Sequence, residues 1–396
     1  MSDGAPKGAS VIVVGGGVTG LSAAWWLARS GVDVLVIEKG VVGWEASGRN
    51  GGGCTHHQSP LFAEEQRLWP MMDALLGYPT EFQPRRLRIA LSDEQLETMK
   101  RGVDSAHAQG FPAEWLDAAQ VRDRAPLAGD NVVGGAYFAC GGHANPQRTV
   151  QAYAWAFRDL GGRILQGAAA TGFTLAGGRV KAVETDAGNY ACERVVIAAG
   201  PQTGVLSAML GAEVPVAQAR ADMIVTEPLP LMPMGGIDGN GLYGRQTLRG
   251  NLAYGGGPHE WLPAGGIGSE GLKPSSPIAR NIARRLAELF PKAAHARVIR
   301  TWAGIVENTP DGRPVIDRLP SVDNATVATM SSVGFGLSPA SGRAIAEIVT
   351  EGRCSFADLS TFRLSRFGNL APGWRERKGW LPPGSATAHV DAGLMA

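Results

Sequence analysis

Residues 11–39, VIVVGGGVTGLSAAWWLARSGVDVLVIEK, constrain the fold more than any other stretch of this chain. A β-branched run, Val11 to Val14, leads into Gly15-x-Gly17-x-x-Gly20. A helical pattern follows, with Leu21, Ala24 and Ala28 on its apolar face and Gly31 as a left-handed stop. A second apolar strand, Val34 to Ile37, ends in Glu38 and Lys39. Gly15 permits the tight turn, Gly17 lets backbone approach a pyrophosphate, and Gly20 allows the helix to pack on the strand. The helix N-terminus, at Val18 and Thr19, offers N–H groups and partial positive charge to phosphates. Glu38 is placed to accept hydrogen bonds from ribose hydroxyls and would repel a 2′-phosphate, which argues against NADP. The combination predicts a dinucleotide-binding βαβ unit.

Beyond Lys39 the regular alternation of strand and helix stops. Residues 43–53, GWEASGRNGGG, have little side-chain volume and many N–H groups, which suits a loop lying along an extended cofactor. Ser47, Arg49, Asn50, Gly51, Gly52 and Gly53 are the candidate contacts there. Residues 163–200 read as a β-meander closed by the strand RVVIAAG, whose Ala199 and Gly200 let the chain pass near the cofactor. The GxGxxG spacing recurs at Gly239-x-Gly241-x-x-Gly244 and Gly266-x-Gly268-x-x-Gly271, but no β-branched run leads into either, which speaks against a second nucleotide site and an NADPH-using monooxygenase.

These segments, with TWAGIVENTPDGRPVID (301–317) and SSVGFGLSPASGRAIAEIV (331–349), resemble the D-amino-acid-oxidase-like FAD oxidoreductases. That family includes glycine and sarcosine oxidases, γ-glutamylputrescine oxidase and opine oxidase subunits. The resemblance implies an α/β fold: a Rossmann-like FAD-binding domain with an interleaved, mostly antiparallel α+β substrate domain. The expected FAD-binding blocks are 1–79, 136–214 and 301–365, the substrate blocks 80–135 and 215–300, and the tail 366–396. The resemblance places Glu38 at the adenosine ribose and Ala170 at the adenine. It sets Ser47 to Gly53 along the pyrophosphate and flavin, and Gly334, Phe335, Gly336, Leu337 and Ser338 at the flavin's pyrimidine side. From the residues alone, Ser338 also reads as an N-cap with Pro339 at N1.

The chemistry implied is oxidation of a C–N bond in a small amine or amino acid to an imine, with FAD held non-covalently. The segment that carries the flavin-linking cysteine of monomeric sarcosine oxidases has none here. Glycine-oxidase-like sequences place a carboxylate-binding arginine where this chain has Val306, and Glu307 follows it. That departure points away from a simple glycine oxidase, toward a larger secondary amine, a polyamine derivative or an opine-like substrate. Arg49 and Arg245 are the remaining clamp candidates, with Tyr243 beside the latter. His56 and His57 follow the flavin loop, and His259 is expected in a loop facing water. Electrons are expected to pass to oxygen, a quinone or a partner subunit, within a homo- or hetero-oligomer. The alternative is a non-catalytic flavin-binding subunit of a larger complex.

Charge excludes little else. Thirty-seven basic and 36 acidic residues give a net charge of +1, with no basic excess to suggest nucleic acid. Cys54, Cys140, Cys192 and Cys354 form no CxxC pair, so neither a disulfide framework nor a metal site is expected. No apolar run is long enough for a transmembrane segment, and the cytoplasm is the expected compartment.

Overall fold

A computed structural model describes residues 8–56, 58–263, 272–370 and Trp374. The elements that build the site are, along the chain, β1 (Gly8–Val14), α1 (Val18–Arg29), β2 (Val34–Glu38), α2 (Phe62–Leu68), β3 (Gln83–Ala90), β4 (Gly134–His143), α3 (Pro146–Asp159) and β5 (Gly188–Ile197). They continue with β6 (Ala217–Pro228), β7 (Leu242–Gln246), β8 (Asn251–Gly256), β9 (Val298–Asn308), β10 (Ala325–Thr329) and α4 (Gly334–Glu351).

Two sheets organise them. The first has eight strands, with β1 at its centre between β2 and β5, all parallel, and β10 parallel to β5 on the far side. The central strands are buried on both faces, which is why they read as unbroken β-branched runs. Helices α1, α3 and α4 pack on one face around Trp25, Tyr153 and Leu337. The register Val14↔Ile37 brings Glu38 level with the glycine turn. The second sheet has nine strands and is antiparallel except where Ile237–Gly239 runs parallel to β3.

The chain crosses between sheets later than expected. β4 pairs with β3 as far as His143, and β9 pairs with β6 along its whole length to Asn308. The boundaries expected at 135/136 and 300/301 fall inside these two strands. Backbone hydrogen bonding, which composition does not report, decides the difference. Asn145 caps α3 through Arg148 N–H with Pro146 at N1, as its sequence predicts. Asp311 closes the turn after β9, accepting from Thr309 and Arg313 and pairing with Arg366 at the start of the tail. No helix among the described residues is long and apolar enough to cross a membrane.

Ser338 is not an N-cap. α4 begins one turn earlier, at Gly334, and carries Pro339 inside it. The irregularity is held by donors from neighbouring elements: Trp69 Nε1 to the Gly336 carbonyl, Ser22 Oγ to the Ser338 carbonyl, and Trp26 Nε1 to the Pro339 carbonyl. α1 and α4 meet closely enough that a Cβ at Gly342 would lie 2.0 Å from Ser22 Oγ and 2.7 Å from its backbone carbon. Gly342→Ala is therefore expected to destabilise the protein by about 1–3 kcal/mol through overpacking. A parent-like denaturant midpoint would show that the contact is not tight.

Candidate active site

The turn after β1 is shaped by close contacts. A Cβ at Gly15 would meet the Ala198 carbonyl oxygen at 2.3 Å, and one at Gly20 would meet the Gly15 carbonyl oxygen at 2.1 Å. Gly20 thus serves helix–strand packing and does not face the cleft. Gly17 is the N-cap of α1 and brings no capping side chain. The Val18 N–H is met by Ser47 Oγ at 3.0 Å. Glu38 accepts from the N–H groups of Gly16 and Gly40, both at 2.7 Å, which fixes its carboxylate at the mouth of the turn.

A cleft of about 310 Å³ opens over this turn. Gly15, Gly17, Val18, Thr19, Glu38, Lys39, Ser47, Asn50, Ala170, Ala199, Gly200, Gly334 and Phe335 all line it. The donor set suits a dinucleotide: backbone N–H groups at a helix N-terminus for phosphates, a carboxylate for ribose, and a floor without side chains.

A second pocket of about 160 Å³ adjoins the cleft, sharing Ala46, Asn50, Val306, Ser332 and Phe335 with it. Gly51, Gly52, Gly53, Arg49 and Gly336 line this pocket and not the first. Gly51 to Gly53 are laid directly on the second sheet. A Cβ at Gly51 would be 3.0 Å from the Tyr243 ring, at Gly52 3.0 Å from Arg245 Nη1, and at Gly53 2.6 Å from Arg86 Nη1. Leu337 and Ser338 are fully buried within α4 and line neither space.

The side-chain candidates separate. Arg245 is buried beneath the glycine loop, donates to the Gly51 carbonyl at 2.8 Å, and does not line the pocket. Burial lowers its pKa to about 10. It braces the loop and cannot clamp a substrate without displacing that loop. Arg49 reaches the pocket, but its Nε and Nη1 donate to the carbonyls of Trp44 and Ala303, and its guanidinium lies 4.7 Å from the Trp44 ring. It too is an anchor.

Glu307 was expected to face the substrate; it lines the cleft and not the second pocket. The pairings Val306↔Ala219 and Glu307↔Gln218 turn Val306 toward the second pocket and Glu307 toward the cleft alone. There Glu307 accepts from Met330 N–H at 3.0 Å and Thr329 Oγ1 at 3.3 Å, while burial raises its pKa. The expected preference for a cationic substrate group loses its basis.

Tyr243 does line the pocket, 3.4 Å from His259 Nε2. His259, half-buried in the loop after β8, lines the pocket as well. Burial lowers its pKa to about 4 and raises that of Tyr243, so both are neutral at physiological pH. Cys54 is buried against the Gly52 carbonyl, with burial raising its thiol pKa. His57 lies outside the described residues.

Sequence reasoning missed Arg86 and Arg88. Both sit on β3, two residues apart, and both line the second pocket. Arg86 is buried and paired with Asp238. Arg88 has no carboxylate partner among the described residues; its guanidinium lies 5.7 Å from the Phe138 ring. The alternation Arg86-Leu87-Arg88-Ile89 carried the signal, with two apolar residues facing the core and two cations facing the opposite way.

Comparison with known proteins bears on this geometry. A family model described as FAD dependent oxidoreductase matches residues 10–348. The chain is 30% identical over 373 residues to the sarcosine oxidase beta subunit of Rhodobacter capsulatus, covering 90% of this chain and 88% of that one. It is 27% identical over 383 residues to a subunit of the opine oxidase of Rhizobium meliloti, covering 90% and 96%. The structure of L-proline dehydrogenase from P. horikoshii matches with a TM-score of 0.84 at 25% identity, over 93% of this chain and 100% of that chain.

Glu38→Ala is expected to weaken FAD retention by about tenfold or more, since a charged acceptor is worth about 1.5–3 kcal/mol. Fluorescence titration of the apoprotein with FAD reads this directly. Unchanged affinity would remove Glu38 from the nucleotide site.

Proposed function

This chain belongs to the family of FAD dependent oxidoreductases that act on amines and amino acids, and on that premise we propose that it oxidises a small, carboxylate-bearing secondary amine to the imine. The substrate class is N-alkylated or opine-like amino acids, and FAD is held without a covalent bond.

The observation that carries the proposal is the charge of the second pocket. Arg49, Arg86 and Arg88 line it, and no Asp or Glu among the described residues does. Such a pocket favours an anionic group and disfavours a polyamine. Of the three, Arg88 is the one whose guanidinium makes no hydrogen bond to the described residues, and we assign it as the carboxylate clamp. Val306, Met223, Ala221 and Phe335 give the rest of the wall an apolar surface for an alkyl substituent. A non-covalent cofactor is supported by Cys54, whose protonated thiol is buried and turned to a carbonyl.

FAD, when bound, supplies the two-electron acceptor that no side chain provides. The protein's part is positional. Arg88 fixes the carboxylate end, which sets the α-carbon at a defined depth in the pocket. The neutral Tyr243–His259 pair offers hydrogen bonds without adding a charge that would compete for the carboxylate. Asn50, Val306 and Phe335 border both spaces, keeping cofactor and substrate adjacent.

Four exposed apolar side chains, Val41, Trp44, Val205 and Met209, rim the cleft. That rim supports assembly with a further chain.

Arg88→Met is expected to raise the apparent KM for a carboxylate-bearing amine by about 10- to 100-fold, the worth of a charged hydrogen bond. FAD retention should not change, and Arg88→Lys should recover part of the loss. Parent-like kinetics in Arg88→Met would overturn the clamp assignment.

A further inference from the structure

One feature of the second pocket has no part in carboxylate binding. His56 lines it and is bonded through Nδ1 to Glu65 Oε1 at 3.1 Å. Glu65 comes from α2, is fully buried, and its Oε2 has no hydrogen-bond partner among the described residues. We assign Nδ1 as the donor of this bond and the Glu65 carboxylate as its acceptor. His56 Nε2, which has no partner among the described residues, is then an acceptor at the pocket. A buried carboxylate is costly unless it orients or stabilises a positive charge. Here the group in position to acquire that charge is His56.

We infer that His56 and Glu65 form a dyad that accepts the proton of the substrate's ammonium group, an inference that rests on the second pocket being the amine site. An amino acid arrives near neutral pH as the ammonium, whose nitrogen has no lone pair to drive loss of hydride from the adjacent carbon. In the step, an N–H bond of the ammonium breaks and an N–H bond forms at His56 Nε2. The electron pair of the broken bond stays on the substrate nitrogen. No oxidant is involved, and charge is conserved: the substrate loses one positive charge and the imidazole gains it. Glu65 stabilises the imidazolium across the Nδ1 bond.

The charged groups facing His56 are Glu65 on one side and Arg49, Arg86 and Arg88 across the pocket. Tyr243 and His259 are held neutral by burial and add no opposing charge. Burial also keeps the neighbouring Cys54 thiol protonated.

The test uses the FAD-loaded protein. Anaerobic reduction by an N-alkylated amino acid is followed from pH 6 to 10 in the parent, His56→Gln and Glu65→Gln. Two ligands that cannot be oxidised are titrated by their perturbation of the flavin spectrum. One is 2-methylalanine, an ammonium carboxylate without an α-hydrogen; the other is pyrrole-2-carboxylate, whose nitrogen carries no ammonium proton. At pH 7, His56→Gln should lower the limiting reduction rate by about 100-fold or more. The deficit should shrink as pH rises toward the substrate's own ammonium pKa. Its Kd for 2-methylalanine should rise about tenfold, the loss of about 1.4 kcal/mol. Its Kd for pyrrole-2-carboxylate should stay within about threefold, inside the spread of an uncoupled site. Glu65→Gln should move the same quantities in the same direction by smaller factors. A His56→Gln profile that matches the parent's overturns the dyad while leaving the amine site intact. A parent that no amino acid reduces and that binds neither ligand sinks both.

Discussion

Gly51, Gly52 and Gly53 lie against Tyr243, Arg245 and Arg86 with no room for a side chain between, and the rest of the site depends on that contact. It brings the flavin loop down onto the second sheet as a thin peptide layer, so that the cleft over α1 and the pocket over that sheet become neighbours. Arg245 gains its meaning from this seam: a buried guanidinium bonded to the Gly51 carbonyl holds the loop at its depth. A bulkier loop would separate the two spaces, and electron transfer between their occupants would have no short path.

The two spaces differ in charge, and the difference divides their labour. The cleft presents Glu38 and a helix N-terminus, a carboxylate for hydroxyls and N–H groups for phosphates. The pocket presents arginines and two neutral polar rings. Glu307 belongs to the first set, so its carboxyl does not face the arginines of the second. On the proposed reading, the pocket recognises the substrate's carboxylate through Arg88 and its ammonium through His56. Val306 leaves space for a substituent where glycine-oxidase-like sequences carry an arginine.

The nucleotide site was legible in the sequence because its chemistry is local. Gly15, Gly17, Gly20 and Glu38 act within one βαβ unit, and their spacing alone reports their jobs. Asn145-Pro146 and the turn at Asp311 were legible for the same reason. The pocket was not, because it depends on parity and register. Val306 and Glu307 are adjacent, and only the pairing of β9 with β6 decides which of them lines the second pocket. Arg86 and Arg88 lie far along the chain from the flavin loop, and β3 brings them beneath it only through the second sheet. Ser338 shows a third kind of failure. Its local pattern is that of an N-cap, but side-chain donors from Trp69, Ser22 and Trp26 support a helix that starts one turn further back.

The visible spectrum of the purified protein, followed during anaerobic addition of amines, probes the cofactor and the pocket together. The amines to compare are N-alkylated and opine-like amino acids, simple D- and L-amino acids, polyamines, and the same secondary amines without a carboxylate. A flavin band is expected, and acid precipitation of the protein should release it into solution. Carboxylate-bearing secondary amines should bleach this band, while polyamines and decarboxylated analogues should not. Bleaching by the amines that lack a carboxylate, with none by those that carry one, would contradict the reading of the arginine-lined pocket as the amine site's carboxylate clamp.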